Sequence, residues 1–296
     1  MNIIIEKYSL KTNKIKKDIK IALISDIHYM DSIADDYNIK IINKVKEINP
    51  NYIVLGGDYF CGLGQFSFLT ASSMNCLREL LDGLKKIAPV IMMLGNHDLS
   101  IKQDSELREA FKTLKGKDIY PLDNETLELD DITFTSFFAH RKSYAISKIT
   151  NKKLKIIIED WYKYKFKINK NKYNILLHHL PDTILDETIK EKIPDIYKYD
   201  LVLSGHAHNG CYSPERESKL KDKDKYIGFC ESILNRPMFV RKVCRGMHNV
   251  NGTKLVISRG ITSGVKGLLG NKLILNTNKE YSYITEINIV GESIEN

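Results

Sequence analysis

Lys20-Ile-Ala-Leu-Ile-Ser-Asp26-Ile-His28 decides how the rest of the chain is read. It is a short apolar run that breaks off into a carboxylate and an imidazole two residues apart. The same pattern returns at Tyr52-Ile-Val-Leu-Gly-Gly-Asp58 and at Val90-Ile-Met-Met-Leu-Gly-Asn96-His97-Asp98. Between these runs the spacing changes to that of helices. Ile39, Ile41, Ile42, Val45 and Ile48 share one face of a helix over 36–48, and residues 72–87 set Leu, Met and Ile among charges until Pro89 stops them. Strand, helix, strand, helix, strand in this order means parallel strands joined by crossovers. In such sheets ligands gather beyond the carboxyl ends of the strands, where the three polar clusters fall.

The later part of the chain repeats the theme after a change of texture. A helix is expected at about 104–115. Thr126 to Phe138 reads as two strands around an Asp130-Asp131 turn, and the Lys-, Ile- and Tyr-rich stretch 147–172 carries a helical piece from Ile158 to Trp161. Two more apolar runs end in histidines, at Tyr173-Asn-Ile-Leu-Leu-His178-His179-Leu-Pro181 and Asp200-Leu-Val-Leu-Ser-Gly-His206-Ala-His208. The alternating segments 254–258 and 281–289 read as further strands. There is no internal repeat, so we expect one domain over 1–296, with an insertion around 209–250 that covers the site.

Each polar cluster has a specific chemical use. Residues i and i+2 at strand spacing point the same way, so Asp26 with His28, and His206 with His208, can each face one centre. Gly56 and Gly57 permit a sharp exit, after which Asp58 can bridge two cations. Asn96 offers a neutral oxygen. His97 can protonate a leaving alkoxide, and Asp98 can orient or charge that imidazole. His178 and His179 face opposite ways, so one of them at most joins a given centre. Taken singly, each cluster is an ordinary polar turn or a buried histidine. Together they gather His28, His97, His179, His206 and His208, five of the eight histidines, all placed after strand-like runs. Hard oxygen mixed with imidazole nitrogen suits a pair of divalent metals, and such a pair suits phosphoester hydrolysis.

In this order the motifs Asp26-x-His28, Gly57-Asp58, Gly95-Asn96-His97-Asp98, His179 and Gly205-His206-x-His208 resemble the calcineurin-like metallophosphoesterase family. The resemblance runs from residue 20 to about 262. It implies an α/β fold, a two-sheet α/β sandwich in four layers with a dinuclear metal site at the strand ends. It also implies a ligand set: Asp26, His28, Asp58 and His208 for one metal, and Asp58, Asn96, His179 and His206 for the other. His179 is preferred to His178 because the family ligand stands two residues before the proline, here Pro181. His97 and Asp98 become the catalytic pair. Asn174 to Asp182, Gly205 to His208 and Lys254 to Ile261 look most like bacterial phosphodiesterases of the wall-associated and lipid-A-pathway branches. The chain departs from them in having Asn209-Gly210-Cys211 where Gly-Gly-Gln is usual.

The implied activity is that of a metal-dependent phosphodiesterase with two transition metal ions, Mn2+ before Fe or Zn, because imidazole favours these over Ca2+. The substrate classes are a nucleotide, a nucleotide-sugar lipid or a phospholipid. A nuclease and a non-catalytic scaffold are the competing readings. The scaffold is disfavoured by the full ligand set and the nuclease by the lack of an aromatic-interleaved basic stripe. Lys+Arg of 45 against Asp+Glu of 37 gives +8, which favours anionic partners, including loose contact with an anionic membrane. The five cysteines show no CxxC spacing, and no run reaches the ~18–20 apolar residues of a membrane span. A cytoplasmic protein, peripheral at most to the inner membrane face, is expected, with no partner protein evident. Arg259 suits a phosphate contact or a structural salt bridge equally. Phe60 to Leu69 suits core packing or a pocket for an apolar substrate part.

Overall fold

The computed structural model describes residues 2–29, 36–60, 71–99, 103–140, 151–207, 226–227, 240–241, 245–261, 268–269, 272–273 and 281–292. Two six-stranded sheets form the frame. In chain order the elements are β1 (Asn2–Thr12), β2 (Ile19–Ile24), α1 (Tyr37–Ile48), β3 (Tyr52–Leu55), α2 (Ala71–Leu84), β4 (Val90–Met92), α3 (Asp104–Lys112) and β5 (Ile119–Pro121). There follow β6 (Thr126–Leu129), β7 (Ile132–Ser136), α4 (Asn151–Tyr164), β8 (Tyr173–Leu177), α5 (Pro181–Leu185), α6 (Glu187–Lys192) and β9 (Leu201–Ser204). The short pairs β10 (Tyr226–Ile227) with β11 (Val240–Arg241), and β14 (Leu268–Leu269) with β15 (Lys272–Leu273), stand apart from β12 (Gly246–Val250), β13 (Thr253–Ile257) and β16 (Tyr281–Gly291).

The first sheet runs β1-β16-β2-β3-β4-β5 and the second β12-β13-β9-β8-β7-β6. Strands β2 to β5 are mutually parallel, as are β7, β8, β9 and β13, so both sheets present strand carboxyl ends. The central strands are buried on both faces, which explains their unbroken apolar runs. Alternation sorts their side chains. Ile21, Leu23, Val54 and Ile91 meet Phe134, Ile175, Leu177, Leu203 and Val256 between the sheets. Ala22, Ile24, Leu55, Met92, Leu176 and Val202 turn outward to the helices. Helix α1 buries Ile41, Val45 and Ile48 on that outer face, each worth roughly 1.5–3 kcal/mol relative to exposure.

Most elements fall where the sequence pattern puts them, including the β6–β7 hairpin around Asp130, whose φ of 47° suits a tight turn. Helix α2 stops at Leu84, earlier than the apolar spacing suggests, and hydrogen bonds from Lys85, Ile87 and Ala88 carry the chain round to Pro89. Gly246–Val250 pairs antiparallel with β13 as an edge strand of the second sheet. The stretch read as a cover over 209–250 therefore includes a sheet strand at its end. Apart from β10, β11 and Arg245, the remainder of it lies outside the described residues.

Candidate metal centre

The site is built from the loops that leave β2, β3 and β4 in one sheet and β8 and β9 in the other. The loops after β2 and β3 continue side by side, with Asp26 N–H bonded to the Gly57 carbonyl at 3.0 Å and His28 N–H to the Asp58 carbonyl at 3.0 Å. Ile261 N–H reaches the Ser25 carbonyl at 2.9 Å, bringing the loop after β13 against them. The fit between the sheets is close at Gly205, where an added Cβ would stand 2.9 Å from Asp26 Oδ2 and 3.1 Å from His179 Nδ1.

Asp58 sits at the centre. Its Oδ1 accepts the His97 backbone N–H at 2.7 Å. Its Oδ2 lies 3.2 Å from His179 Nε2, 3.6 Å from His28 Nε2 and 3.9 Å from His97 Nε2. Two groups with ligand atoms mutually within 4.8 Å share it: Asp26, His28 and Asp58, and Asp58, His179 and His206. Asp26 is held in turn by the His206 backbone N–H, at 2.9 Å to Oδ1 and 3.1 Å to Oδ2.

His179 and His178 have separate duties. His179 Nδ1 donates to the Gly56 carbonyl at 2.7 Å, which fixes the ring and directs Nε2 at Asp58. His178 Nδ1 donates to the Phe137 carbonyl at 2.8 Å, and its ring stacks on Phe137. Burial pushes the His178 imidazole down to about 4, so it is a neutral packing residue. Burial acts in the same direction on His179, but the Asp58 and Asp26 carboxylates override it and hold the imidazole up at about 9. Burial would likewise raise Asp58. His179, His97 and His28 outweigh it and keep that carboxyl well below its usual range.

These residues fit a cation. Asp58 Oδ2, Asn96 Oδ1 and His179 Nε2 are all buried without a hydrogen bond. Leaving such atoms unsatisfied costs about 1–3 kcal/mol each. Two are oxygens that only accept, and the third belongs to a ring whose other nitrogen already serves Gly56. A cation bound between Asp58 Oδ2 and His179 Nε2, which lie 3.2 Å apart, would serve both in place of a shared proton, and Asn96 Oδ1 is an orphaned acceptor of the kind such an ion takes.

His97 stands at the rim, its side chain 25% exposed, with its ring edge-on to His28 at 4.8 Å. Asp98 does not serve that ring as expected. The turn draws its carboxylate back into the protein, where it accepts four backbone N–H groups, from Gly95, Asp58, Tyr59 and Phe60. Burial and the neighbouring Asp58 charge push the Asp98 carboxyl upward. Arg259 forms the structural salt bridge of its two readings: Nε donates to Glu6 Oε1 at 2.9 Å, and the guanidinium lies over the Tyr283 ring. His208 and residues 61–69 of the apolar stretch lie outside the described residues. Phe60 itself is buried. Supports absent from the sequence reading are the Gly56 carbonyl and the His206 backbone, which carry no side-chain signal.

A two-sheet α/β sandwich with buried carboxylate, amide and imidazole groups at its strand ends is the class these features define. The sequence profile of the calcineurin-like phosphoesterase family matches residues 19–210, and the chain belongs to that family. It is similar to an uncharacterised metallophosphoesterase of Campylobacter jejuni, 25% identical over 215 residues, covering 71% of this chain and 49% of that one. It is also similar to the UDP-2,3-diacylglucosamine pyrophosphatase LpxG of Chlamydia muridarum, 25% identical over 224 residues, covering 64% of this chain and 63% of that one. The chain thus spans about half to two thirds of the length of these curated relatives. Among solved structures, a dimetal phosphatase from Danio rerio aligns over 83% of this chain and 88% of its own, at 13% identity and a TM-score of 0.43.

Proposed function

We propose that this protein is a phosphodiesterase that works with two divalent cations. The observation that carries the reading is Asp58, the one carboxylate common to both ligand groups, with Oδ2 turned toward three imidazoles. Asp26, His28, Asp58 and His208 would hold one cation, and Asp58, Asn96, His179 and His206 the other. When bound, the cations supply Lewis acidity toward the phosphoryl oxygens and make water acidic enough to act as a nucleophile near neutral pH. The chain's own groups do the rest. The Gly56 carbonyl fixes the His179 tautomer, and the His206 N–H fixes Asp26. His97, at the rim, donates a proton from its imidazole to the departing alkoxide oxygen.

Mn2+ is our preferred ion, since the donor set mixes imidazole with hard oxygen. The substrate is a nucleotide, a nucleotide-sugar lipid or a phospholipid. The likeness to a pyrophosphatase of an acylated nucleotide sugar supports the second of these. We place the enzyme in the cytoplasm as one domain over 1–296, meeting its substrate in solution or at the inner membrane face, where the +8 charge favours anionic lipid. No helix among the described residues is long and apolar enough to cross a membrane.

Hydrolysis of bis-p-nitrophenyl phosphate and of the monoester, with Mn2+ and with chelator, tests the proposal. Faster diester hydrolysis that chelator abolishes is expected. Chelator-resistant activity, or none with any transition metal, would overturn it.

A further inference from the structure

Asp98 closes the Gly95–Asp98 turn, yet its side chain spends itself chiefly on the turn that follows β3. Oδ2 accepts the Gly95 N–H at 2.8 Å and the Asp58 N–H at 2.8 Å. Oδ1 accepts the Tyr59 N–H at 2.7 Å and the Phe60 N–H at 3.3 Å. Three successive amides of the Asp58 turn are thus gathered on one carboxylate from the neighbouring turn. The exchange is mutual, because Asp58 Oδ1 accepts the His97 N–H at 2.7 Å. Each turn sends its aspartate into the backbone of the other.

The exchange decides which atom of Asp58 is presented. Oδ1 is taken by His97 N–H, so Oδ2 is the oxygen left facing His28 and His179. The two turns also have no room to drift, since a Cβ on Gly95 would lie 2.2 Å from Asp58 Oδ1 and 2.3 Å from Asp58 N. The wall beside Asp98 is apolar, formed by Leu94, Leu107, Phe111 and Leu114. It offers no substitute for the carboxylate's hold on the four amides.

We infer that Asp98 is a positioning residue, which sets the bridging carboxylate of Asp58 by clamping the two metal-facing turns together. The inference rests on the dinuclear reading above. It assigns Asp98 to the metals through Asp58 and not to the His97 ring. Because Asp58 belongs to both ligand groups, loss of the clamp loosens both sites at once. Partners that orient a metal ligand from behind are worth about 10–100-fold in metal affinity.

The test uses the full chain, stripped of metal and titrated with Mn2+ in a calorimeter, beside thermal unfolding of the metal-free protein. Asp98→Asn keeps the shape but replaces one acceptor oxygen with a donor that faces backbone N–H groups. The control is Asn174→Ala, at the far end of β8, where Asn174 accepts from Thr133 Oγ1 and donates to the Asn169 and Lys172 carbonyls. The expected result is Mn2+ affinity reduced about 10–100-fold in Asp98→Asn, with unchanged affinity in the control even where its melting temperature falls as far. For bis-p-nitrophenyl phosphate, kcat should fall more than KM rises. Wild-type affinity in Asp98→Asn, or a loss no larger than the control's, would overturn the inference. If Asp98→Asn fails to fold, Asp98→Glu decides instead: its longer side chain should also weaken Mn2+ binding, and wild-type binding would refute the clamp. A wild-type chain that binds no Mn2+ would remove the dinuclear reading itself.

Discussion

Four residues around the site hold the backbone in the left-handed region: Asp26 at φ 56°, His28 at 52°, Asp58 at 56° and His206 at 69°. Such conformations cost side-chain-bearing residues about 1–2 kcal/mol each, and they cluster where surrounding structure enforces them for a purpose. All four lie just past a strand end, in the turns that carry the candidate ligands. His179 then carries the pH dependence. In the metal-free protein its imidazole is held at about 9 by Asp58 and Asp26 against the effect of burial. That raised value stabilises the metal-free fold. The contribution is complete below about 6.5, the ordinary histidine value, and is lost as pH rises through about 9. A cation must displace this proton, so Mn2+ affinity should rise with pH across neutrality and level off above about 9. Calorimetric titrations at several pH values, in buffers of different ionisation heat, measure the released proton; pH-independent affinity would remove His179 from the ligand set. His97 makes a separate prediction. His97→Ala should keep both metals but lower turnover about 10²–10⁴-fold on substrates with poor leaving groups, and less on p-nitrophenyl esters. Comparing alkyl and p-nitrophenyl diesters checks this, and equal losses would mean that His97 serves binding.

At the scale of elements, the site is a set of turns stacked on one another, and the glycines permit the stacking. The test is Gly95→Ala. Its new methyl would collide with backbone N and carboxylate oxygen of Asp58 at 2.3 and 2.2 Å, and backbone cannot yield as a flexible side chain does. We expect a loss of roughly 1–3 kcal/mol of stability, with Mn2+ binding weakened at least about tenfold. Thermal unfolding and metal titration measure the two. A variant with wild-type affinity would show that these turns need not touch. Strands β2, β3, β4, β8 and β9 were legible in the sequence because each is an apolar run buried on both faces and closed by a polar cluster. Helix α1 was legible from the spacing of Ile41, Val45 and Ile48. The work of Asp98 was not. Sequence adjacency pointed it at His97, whereas three of its four donors lie on another turn, 38–40 residues away. Backbone donors and acceptors of this kind leave no trace in residue type.

At the scale of the molecule, the centre exists only because two sheets meet. Asp26, His28, Asp58 and Asn96 follow strands of one sheet, while His179 and His206 follow strands of the other. The inter-sheet core, from Leu23 and Val54 to Leu177 and Leu203, sets their separation. The meeting of two sheets was what the family resemblance implied, and that the motifs lie at strand ends was legible from the recurring strand endings. The outermost pairing of the first sheet was not, since β1 joins β16 from the opposite end of the chain in parallel register, Asn2 opposite Tyr281. The alternation of β16 marks it as a strand but names no partner, and β1 at the sheet edge has no strict alternation to reveal it. The most direct test of the account is anomalous diffraction from crystals grown with Mn2+. Two peaks are expected, one on each side of the Asp58 carboxylate, with His179 on one side and His28 on the other. A single peak away from Asp58, or none in crystals of protein active with Mn2+, would contradict it.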